Sequence, residues 1–382
     1  MKRHTGFIAT FAAAMALQVL AGASAALAQP ATTAGSPKAD PSGGGFQLAR
    51  PPGAKMPTAT PTAQFDTPAV PDPVLSLPGN VEGLLDLTYL ERQGYRPLTL
   101  DLYRKRASAK RLPVVIYVHG GSFLGGDSRM KGSANQNGMN GFAAMLAARG
   151  YAVANVNYRL SSEAKLPALV LDIKASIRWL RANADKYNLD SDRFAVFGDS
   201  AGGGIAALLG TTCGAPQFQE KLPPRMGGSL DLSPYSDCVK AAIDWYGVID
   251  MAQLDAMAAA TTEVKANLIH SSPNSSQSMA LGCAIGTTCT DAQVQMYNPI
   301  NYLNTGAGKT AFLIMHGTHD DAVSYHQSEL FYNALKAKGI SAELKLVPGV
   351  GHYFTGATKD QIKSIDHDMM DFLGRTIGDQ SH

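Results

Sequence analysis

The sequence predicts an α/β domain, a three-layer αβα sandwich built on a mostly parallel, eight-stranded sheet. The chain has 382 residues, of which 45% are hydrophobic and 17% charged, enough apolar material to bury a sizeable core. Dense apolar runs such as residues 112–119 are typical of strands buried on both faces. Amphipathic helical patterns such as residues 168–187 alternate with these runs, which indicates helices covering both faces of the sheet.

The predicted elements follow one another in a regular order. Two strand-like runs at residues 84–91 and 97–106 turn at Gln93 and Gly94, which indicates an antiparallel hairpin at one edge. Further strands are predicted at residues 112–119, 151–158, 193–198, 241–247, 310–315 and 342–347, and helices at 142–149, 168–187, 202–209, 326–338 and 362–373. We assign residues 81–382 to one catalytic domain. Within it, residues 250–303 break the alternation and are predicted to form a small cap or lid.

The charge balance argues against nucleic acid and membrane surfaces as partners. Lys and Arg number 33 against 31 Asp and Glu, a formal net charge of +2, so neither sign of charge dominates. The basic residues Arg104, Lys105, Arg106, Lys110 and Arg111 are ascribed to a solvated hairpin edge rather than to a nucleic-acid site. Composition also excludes collagen-like, coiled-coil and wholly disordered chains.

Residues 1–28 have the three parts of a secretory signal peptide. A basic start at Lys2 and Arg3 is followed by an apolar run over residues 6–20 and by Ala26-Leu27-Ala28, a small-x-small cleavage site. The apolar run is too short to span a bilayer comfortably, which argues against a stable membrane anchor. We therefore expect a periplasmic or secreted protein that begins at Gln29.

The segment at residues 29–80 is predicted to be a disordered linker. Eleven of the 21 Pro lie between Gln29 and Pro78, together with a run of three glycines and only six charged residues. Such a segment buries too little apolar surface to offset the entropy of ordering it. It is expected to act as a spacer.

Four cysteines follow the predicted signal, at 213, 238, 283 and 289. An oxidising compartment permits two disulfides, and four cysteines allow three pairings. Cys283 and Cys289 are close in sequence, with Gly282 and Gly286 to turn the chain, so we pair them and pair Cys213 with Cys238. Four buried thiols are the alternative. Zinc is not expected, because neither a short Cys pair nor a neighbouring His gives ligand spacing.

The strongest chemical signal is a serine between a strand and a helix. The strand at residues 193–198 leads into Gly198-Asp199-Ser200-Ala201-Gly202, a G-x-S-x-G turn that lifts the serine hydroxyl above a sheet. Small residues at −2 and +2 are needed because the turn is strained. Glycine-rich turns between a strand and a helix also bind phosphate, but this context predicts a nucleophile at Ser200.

A serine nucleophile requires a base and an acid, expected in that scaffold in the chain order serine, acid, histidine. His352 lies in a loop between the last strand and the last helix, so we assign it as the base. Asp320 follows the preceding strand and is chosen as the acid, with Asp321 and Asp250 as lesser candidates.

A metal is the alternative explanation for the cluster His316, His319, Asp320, Asp321 and His326. Catalytic zinc requires ligands that converge from defined spacings. The serine upstream explains the same carboxylate without a metal, so no metal and no cofactor are expected.

Charge that develops on a carbonyl oxygen also requires hydrogen-bond donors. His119-Gly120-Gly121-Ser122 follows a buried strand, and glycine permits a tight path there. Backbone N–H groups of this loop can point at that oxygen, and the second donor would be the N–H of Ala201. His119 is expected to orient the loop rather than to act as a second base.

Five stretches of the chain resemble the α/β-hydrolase esterases, specifically the bifunctional deacetylase/feruloyl-esterase-like and hormone-sensitive-lipase-like groups. They are HGGSF at 119–123, NYRL at 157–160, GDSAGG at 198–203, HGTHDDAVSYHQSE at 316–329 and PGVGHYF at 348–354. The resemblance, which covers about residues 84–373, implies an α/β-hydrolase fold and the roles already assigned to Ser200, Asp320 and His352. It also implies that the oxyanion hole is formed by the backbone N–H groups of Gly121, Ser122 and Ala201. The hormone-sensitive-lipase-like group usually has a third glycine where Ser122 stands.

These features predict a secreted serine carboxylesterase that forms an acyl-enzyme intermediate. The expected substrates are small-molecule or glycan-linked short-chain esters, and the resemblance adds acetyl and feruloyl esters of polysaccharides. One alternative is a serine peptidase or amidase on the same fold. The other is a non-catalytic, hydrolase-like binding module. The sequence makes no prediction of the oligomeric state.

Overall fold

The computed structural model describes residues 74–92, 94–130, 138–220, 231–265, 268–304 and 309–378. The predicted signal peptide at residues 1–28 lies outside these ranges. So does the predicted linker up to residue 73.

A single twisted sheet forms the centre of the domain, with its strands in the order β1-β2-β3-β5-β4-β6-β7-β8-β9. The strands are β1 (Val74–Leu77), β2 (Val81–Leu90), β3 (Leu98–Lys105), β4 (Leu112–Val118), β5 (Ala152–Val156), β6 (Leu189–Asp199), β7 (Ala241–Trp245), β8 (Ala311–Gly317) and β9 (Ala342–Val347). The strands β4 to β9 pair in parallel, while β1, β2 and β3 form the antiparallel edge. The predicted mostly parallel sheet and its hairpin edge are therefore confirmed.

The described part of the chain has nine strands, where eight were predicted. The additional strand, β1, pairs antiparallel with β2 and lies in the segment assigned to the linker. Its residues Val74 and Leu75 are 54% and 40% exposed, as expected for a short edge strand. Eleven prolines dominate the composition of the segment, two of them, Pro73 and Pro78, on either side of β1, so this four-residue strand was missed.

Helices cover both faces of this sheet. They are α1 (Gly138–Ala148), α2 (Ala168–Ala182), α3 (Ala184–Tyr187), α4 (Ala201–Thr211), α5 (Leu254–Ala259), α6 (Ser276–Leu281), α7 (Asp291–Gln295), α8 (His326–Ala337) and α9 (Lys359–Thr376). The helix predicted at 168–187 is two helices that separate at Asn183. The last helix begins three residues earlier than predicted, because Thr358 and Gln361 form a reciprocal capping box at its start.

Successive residues of the central strand β4 are buried on opposite faces of the sheet. Ile116 and Val118 belong to one apolar cluster, whereas Val115 and Tyr117 belong to the other. All seven residues of β4 are buried. This pattern is the consequence of the two-residue period of a strand that is covered on both faces.

Residues 250–303, predicted as a cap or lid, carry the short helices α5, α6 and α7 and a 3-10 turn at Pro299–Tyr302. Part of the segment is attached to the loop that follows β8. The ring of His270 lies 3.2 Å from the carbonyl oxygen of Ala322, and Lys265 forms a 2.7 Å ion pair with Asp321.

Two disulfides join the cysteines in the pairing that we chose from the sequence. Cys213 is bonded to Cys238 and Cys283 to Cys289. The first bond connects the loop after α4 to the start of β7, and the second closes a turn between α6 and α7. Among the described residues, no helix combines the length and apolar character needed to cross a membrane.

Candidate active site

The turn between β6 and α4 holds Ser200 in a strained backbone conformation. Its φ is 55° and its ψ is −122°, and a positive φ is unfavourable for a residue with a Cβ. A Cβ on Gly198 would lie 2.1 Å from the carbonyl oxygen of Gly202, and a Cβ on Gly202 would lie 2.1 Å from that of Val118. Only glycine fits at both positions, which is the physical reason for the G-x-S-x-G pattern.

The structure brings together the three residues proposed as nucleophile, base and acid. The Ser200 Oγ lies 3.0 Å from His352 Nε2, and His352 Nδ1 lies 2.7 Å from Asp320 Oδ2. All three side chains are buried. Nδ1 faces a carboxylate and therefore carries the hydrogen, which leaves the Nε2 lone pair for the serine hydroxyl. Each residue follows the carboxyl end of a strand, β6, β8 or β9, as predicted.

Hydrogen-bond donors surround the Asp320 carboxylate. Its Oδ1 accepts from the N–H groups of Ala322 at 2.9 Å and Val323 at 2.8 Å, and its Oδ2 also lies 3.1 Å from His316 Nε2. Burial alone would raise the pKa of Asp320, but the charge and hydrogen bonds of His352, together with His316, hold it well below the usual range. The carboxylate therefore stays ionised at every pH at which the site would work.

The two lesser acid candidates are engaged elsewhere. Asp321 is paired with Lys265, and its side chain is 43% exposed. Asp250 accepts from the Ala252 N–H at 2.9 Å and from Gln253 Nε2 at 2.7 Å. Asp320 is the candidate whose carboxylate reaches His352.

The loop after β4 passes directly beside the nucleophile. A Cβ on Gly120 would lie 3.2 Å from Ser200 Cβ, and one on Gly121, whose φ is 105°, would lie 2.2 Å from the carbonyl oxygen of Gly125. Ser122 also adopts a positive φ of 56°. This tight path places the backbone of the proposed oxyanion loop against the serine.

His119 has the structural surroundings expected of it. The ring is buried, stacks on Tyr158 at a centroid distance of 4.3 Å, and its Nδ1 lies 2.8 Å from the Gly120 carbonyl oxygen. Burial lowers its pKa to about 4 despite the Gly120 hydrogen bond. The imidazole is therefore neutral at physiological pH and shapes the loop.

Sequence reasoning missed Asp199, which links the proposed oxyanion loop to the turn that holds Ser200. Its Oδ1 accepts from the Tyr117 hydroxyl at 2.6 Å and from the Gly120 N–H at 3.2 Å. Burial raises its pKa, although these hydrogen bonds oppose the shift. Asp199 fills a variable position of G-x-S-x-G, so the motif gave no signal. A carboxylate at the end of the apolar run at residues 194–198 was the available signal.

Tyr353 was also missed, although it directly follows the base. Its φ is 59°, and its ring packs edge-on against the His352 ring at a centroid distance of 4.5 Å. Burial raises the pKa of the Tyr353 phenol, and a hydrogen bond with Ser200 opposes this shift. Its place in PGVGHYF indicated only that it lay near the base.

The cluster weighed as a metal site does not converge on one point. His319 is exposed, with its Nδ1 3.3 Å from the Thr318 hydroxyl, and His326 Nδ1 lies 3.0 Å from the Ser324 hydroxyl. Within the described ranges, no group of three or more His, Cys, Asp or Glu side chains is arranged to hold a metal ion.

Comparison with known proteins places the chain among esterase sequences. The BD-FAE family model matches residues 100–335, a span that includes Ser200 and Asp320 and ends before His352. The chain is 29% identical over 260 residues to Esterase LipC of Mycobacterium tuberculosis (strain ATCC 25618 / H37Rv), an alignment covering 67% of this chain and 56% of that protein. It is 34% identical over 166 residues to Carboxylesterase NlhH of M. tuberculosis (strain CDC 1551 / Oshkosh), covering 41% and 50%. The chain thus spans about half the length of these relatives.

Two solved structures illustrate the similarity of the fold. A truncated carbohydrate esterase from gut microbiota superposes with a TM-score of 0.58 at 26% identity, covering 77% of this chain and 95% of that one. A bifunctional GH43-CE protein from Bacteroides eggerthii superposes with a TM-score of 0.57 at 28% identity, covering 78% and 35%.

Gly202 packs so closely against the carbonyl oxygen of Val118 that a single methyl group at residue 202 is predicted to destabilise the protein strongly. Gly202→Ala should lower the free energy of unfolding by about 3 kcal/mol or more, because the added Cβ overlaps a backbone oxygen of β4. Urea-induced unfolding measures this difference. Gly374→Ala in α9 is the matched control: no atom lies within 4 Å of its Cβ position, and the change should stabilise the helix by up to about 1 kcal/mol. Equal stability of Gly202→Ala and the wild type would contradict the proposed backbone constraint.

The hydrogen bond from the Gly120 N–H to Asp199 predicts that residue 199 must supply a hydrogen-bond acceptor to the proposed oxyanion loop, whereas its negative charge is not needed. Asp199→Asn keeps an oxygen for the Gly120 N–H and should label with a fluorophosphonate at a rate within about threefold of the wild type. Asp199→Leu releases the loop and should slow labelling by about tenfold or more. Tyr117→Phe controls for the second bond and should have a small effect. Equal rates for the Asn and Leu variants would show that the contact does not hold the loop in position.

Proposed function

Because the chain belongs to the BD-FAE family, we propose that it is a serine hydrolase that cleaves carboxylic esters. One observation carries the proposal: a strained serine whose hydroxyl lies 3.0 Å from an imidazole that is oriented by a buried carboxylate at 2.7 Å. That arrangement is what is needed to make a hydroxyl nucleophilic at neutral pH.

In the proposed mechanism, Ser200 Oγ attacks the carbonyl carbon of the ester while His352 Nε2 takes the hydroxyl proton. The negative charge that develops on the carbonyl oxygen is stabilised by backbone N–H groups of the oxyanion loop. As the C–O bond to the alcohol breaks, the imidazolium gives its proton to the departing oxygen. An acyl group is then esterified to the serine. Asp320 stabilises the imidazolium through both proton transfers and remains ionised.

Deacylation repeats these steps with water. His352 removes a proton from the water molecule, whose oxygen attacks the acyl carbon. The second tetrahedral intermediate collapses, the serine oxygen regains the proton from His352, and the carboxylic acid departs. The residues thus return to their starting protonation states, and no cofactor takes part in the proposed cycle.

For the substrate, we propose short-chain esters, with acetyl and feruloyl esters on polysaccharides as the natural class. The support is the family membership and the carbohydrate esterase from gut microbiota, which has the same fold and is 26% identical to this chain. The two disulfides support export, because disulfides persist in oxidising compartments. Export would bring the enzyme to extracellular glycans.

Hydrolysis of a p-nitrophenyl ester series, acetate through laurate, tests the proposed function. We expect activity to be highest at acetate or butyrate and to fall by at least about a thousandfold in Ser200→Ala. Asp320→Asn should also be strongly impaired, because the imidazole loses the acceptor that fixes its tautomer. Asp321→Asn is the matched control and should retain near wild-type rates, since this carboxylate pairs with Lys265 instead.

Two outcomes would contradict the proposal. Full activity in Ser200→Ala would exclude this serine as the nucleophile. A folded wild type that hydrolyses no ester would favour an amidase or peptidase, or a binding module, which assays on p-nitroanilide substrates would distinguish.

A further inference from the structure

A second imidazole contacts the carboxylate that orients the base. His316 lies in β8, four residues before Asp320, and is fully buried. Its Nε2 lies 3.1 Å from Asp320 Oδ2, the same oxygen that His352 Nδ1 contacts at 2.7 Å. One carboxylate oxygen is therefore shared by two histidine rings, and the mechanism above uses only one of them.

The surroundings of His316 determine which of its nitrogens carries the hydrogen. Nε2 faces two acceptors, Asp320 Oδ2 and the Val323 carbonyl oxygen at 3.0 Å, so it must be a donor. Nδ1 lies 2.7 Å from the hydroxyl of Ser328, a buried residue of α8 that can donate to it. Ser328 thus holds the ring in the tautomer that donates to the acid.

With this donor included, the Asp320 carboxylate accepts four hydrogen bonds. Two backbone N–H groups bind Oδ1 and two imidazole N–H groups bind Oδ2. Each additional donor stabilises the ionised carboxylate and withdraws electron density from its bond to His352. The second imidazole therefore reduces the strength with which Asp320 stabilises a protonated base.

We propose that His316 is a positioning residue that acts through Asp320, fixing the carboxylate and setting the pH above which His352 is a free base. This inference deepens the proposed function and rests on it. The proposal predicts the direction of one change. Without the His316 donor, the carboxylate would stabilise the imidazolium more, so His352 would hold its proton to a higher pH.

Other titratable groups face this pair: the carboxyl groups of Asp244 and Asp199 and the phenols of Tyr246 and Tyr353. Asp244 in β7 is buried, and burial raises its pKa to about 7; the hydrogen bond from the Gly247 N–H opposes this shift, as would a protonated His316. The Tyr246 ring packs edge-on against both histidines, 6.4 Å from His316 and 4.9 Å from His352. With a pKa of about 7, Asp244 would add its own ionisation to a pH profile. The effect of His316 is therefore measured both with Asp244 present and with Asp244 replaced.

The test compares His316→Gln, which can keep an N–H donor toward Asp320, with His316→Phe, which fills the space without one. Two quantities are measured: kcat/KM against pH on p-nitrophenyl acetate, and the midpoint of the His352 ring titration by 15N NMR. In His316→Phe we expect both the acid limb and the midpoint to move up by about half a pH unit or more, with kcat lowered about tenfold. His316→Gln should restore most of the shift.

The background variant Asp244→Asn removes the second titration, and the His316→Phe shift should persist in it. If His316→Phe does not unfold cooperatively on heating, Ser328→Ala serves instead. It frees the ring to adopt the other tautomer and should produce a smaller shift of the same sign.

A folded variant whose His352 midpoint equals that of the wild type would overturn the proposal, even if its kcat is reduced, because lost packing lowers a rate without moving a titration. The NMR midpoint needs no turnover. If the wild type hydrolyses no ester, the proposed function fails, while the link between His316 and His352 is still tested.

Discussion

The backbone packing at the carboxyl ends of β4, β6 and β7 is the constraint on which the site depends. It holds Ser200 at a positive φ, with its N–H bonded to the Trp245 carbonyl oxygen at 2.9 Å and with Gly202 against the carbonyl oxygen of Val118. A single residue in such a conformation costs on the order of 1–3 kcal/mol. The buried strands β4 and β7 and the buried carboxyl-terminal half of β6 supply the rigidity that keeps it there, so the position of the hydroxyl is a property of the sheet.

Three buried aspartates lie near this turn, and their hydrogen bonds, rather than burial alone, determine which of them is ionised. Burial raises the pKa of Asp199 and of Asp244, and neither has a partner for its Oδ2 among the described residues. Asp320 is as deeply buried, yet its pKa is lowered, because two backbone N–H groups and two imidazoles face it. A carboxylate that must remain charged beside a base is thus distinguished from two whose burial favours the neutral form.

Much of this arrangement could be predicted from the sequence because it depends on local patterns and chain order. A single sequence shows the strand before Ser200 and the glycines on either side of it. It also shows the chain order of Ser200, Asp320 and His352. The break at Asn183 and the strand β1 were missed, since helical spacing continues through the first and prolines surround the second. Asp199 and the role of His316 were missed for another reason: each acts through a contact that exists only after the sheet is assembled.

The most direct test of this account is to trap the covalent intermediate. Wild-type protein and Ser200→Ala are mixed with p-nitrophenyl acetate, quenched in acid during turnover, digested and analysed by mass spectrometry. We expect one acetyl group on the peptide containing Ser200 in the wild type and an unmodified protein in the variant. Turnover with the acetyl group on another residue, or with the same labelling in Ser200→Ala, would contradict the account.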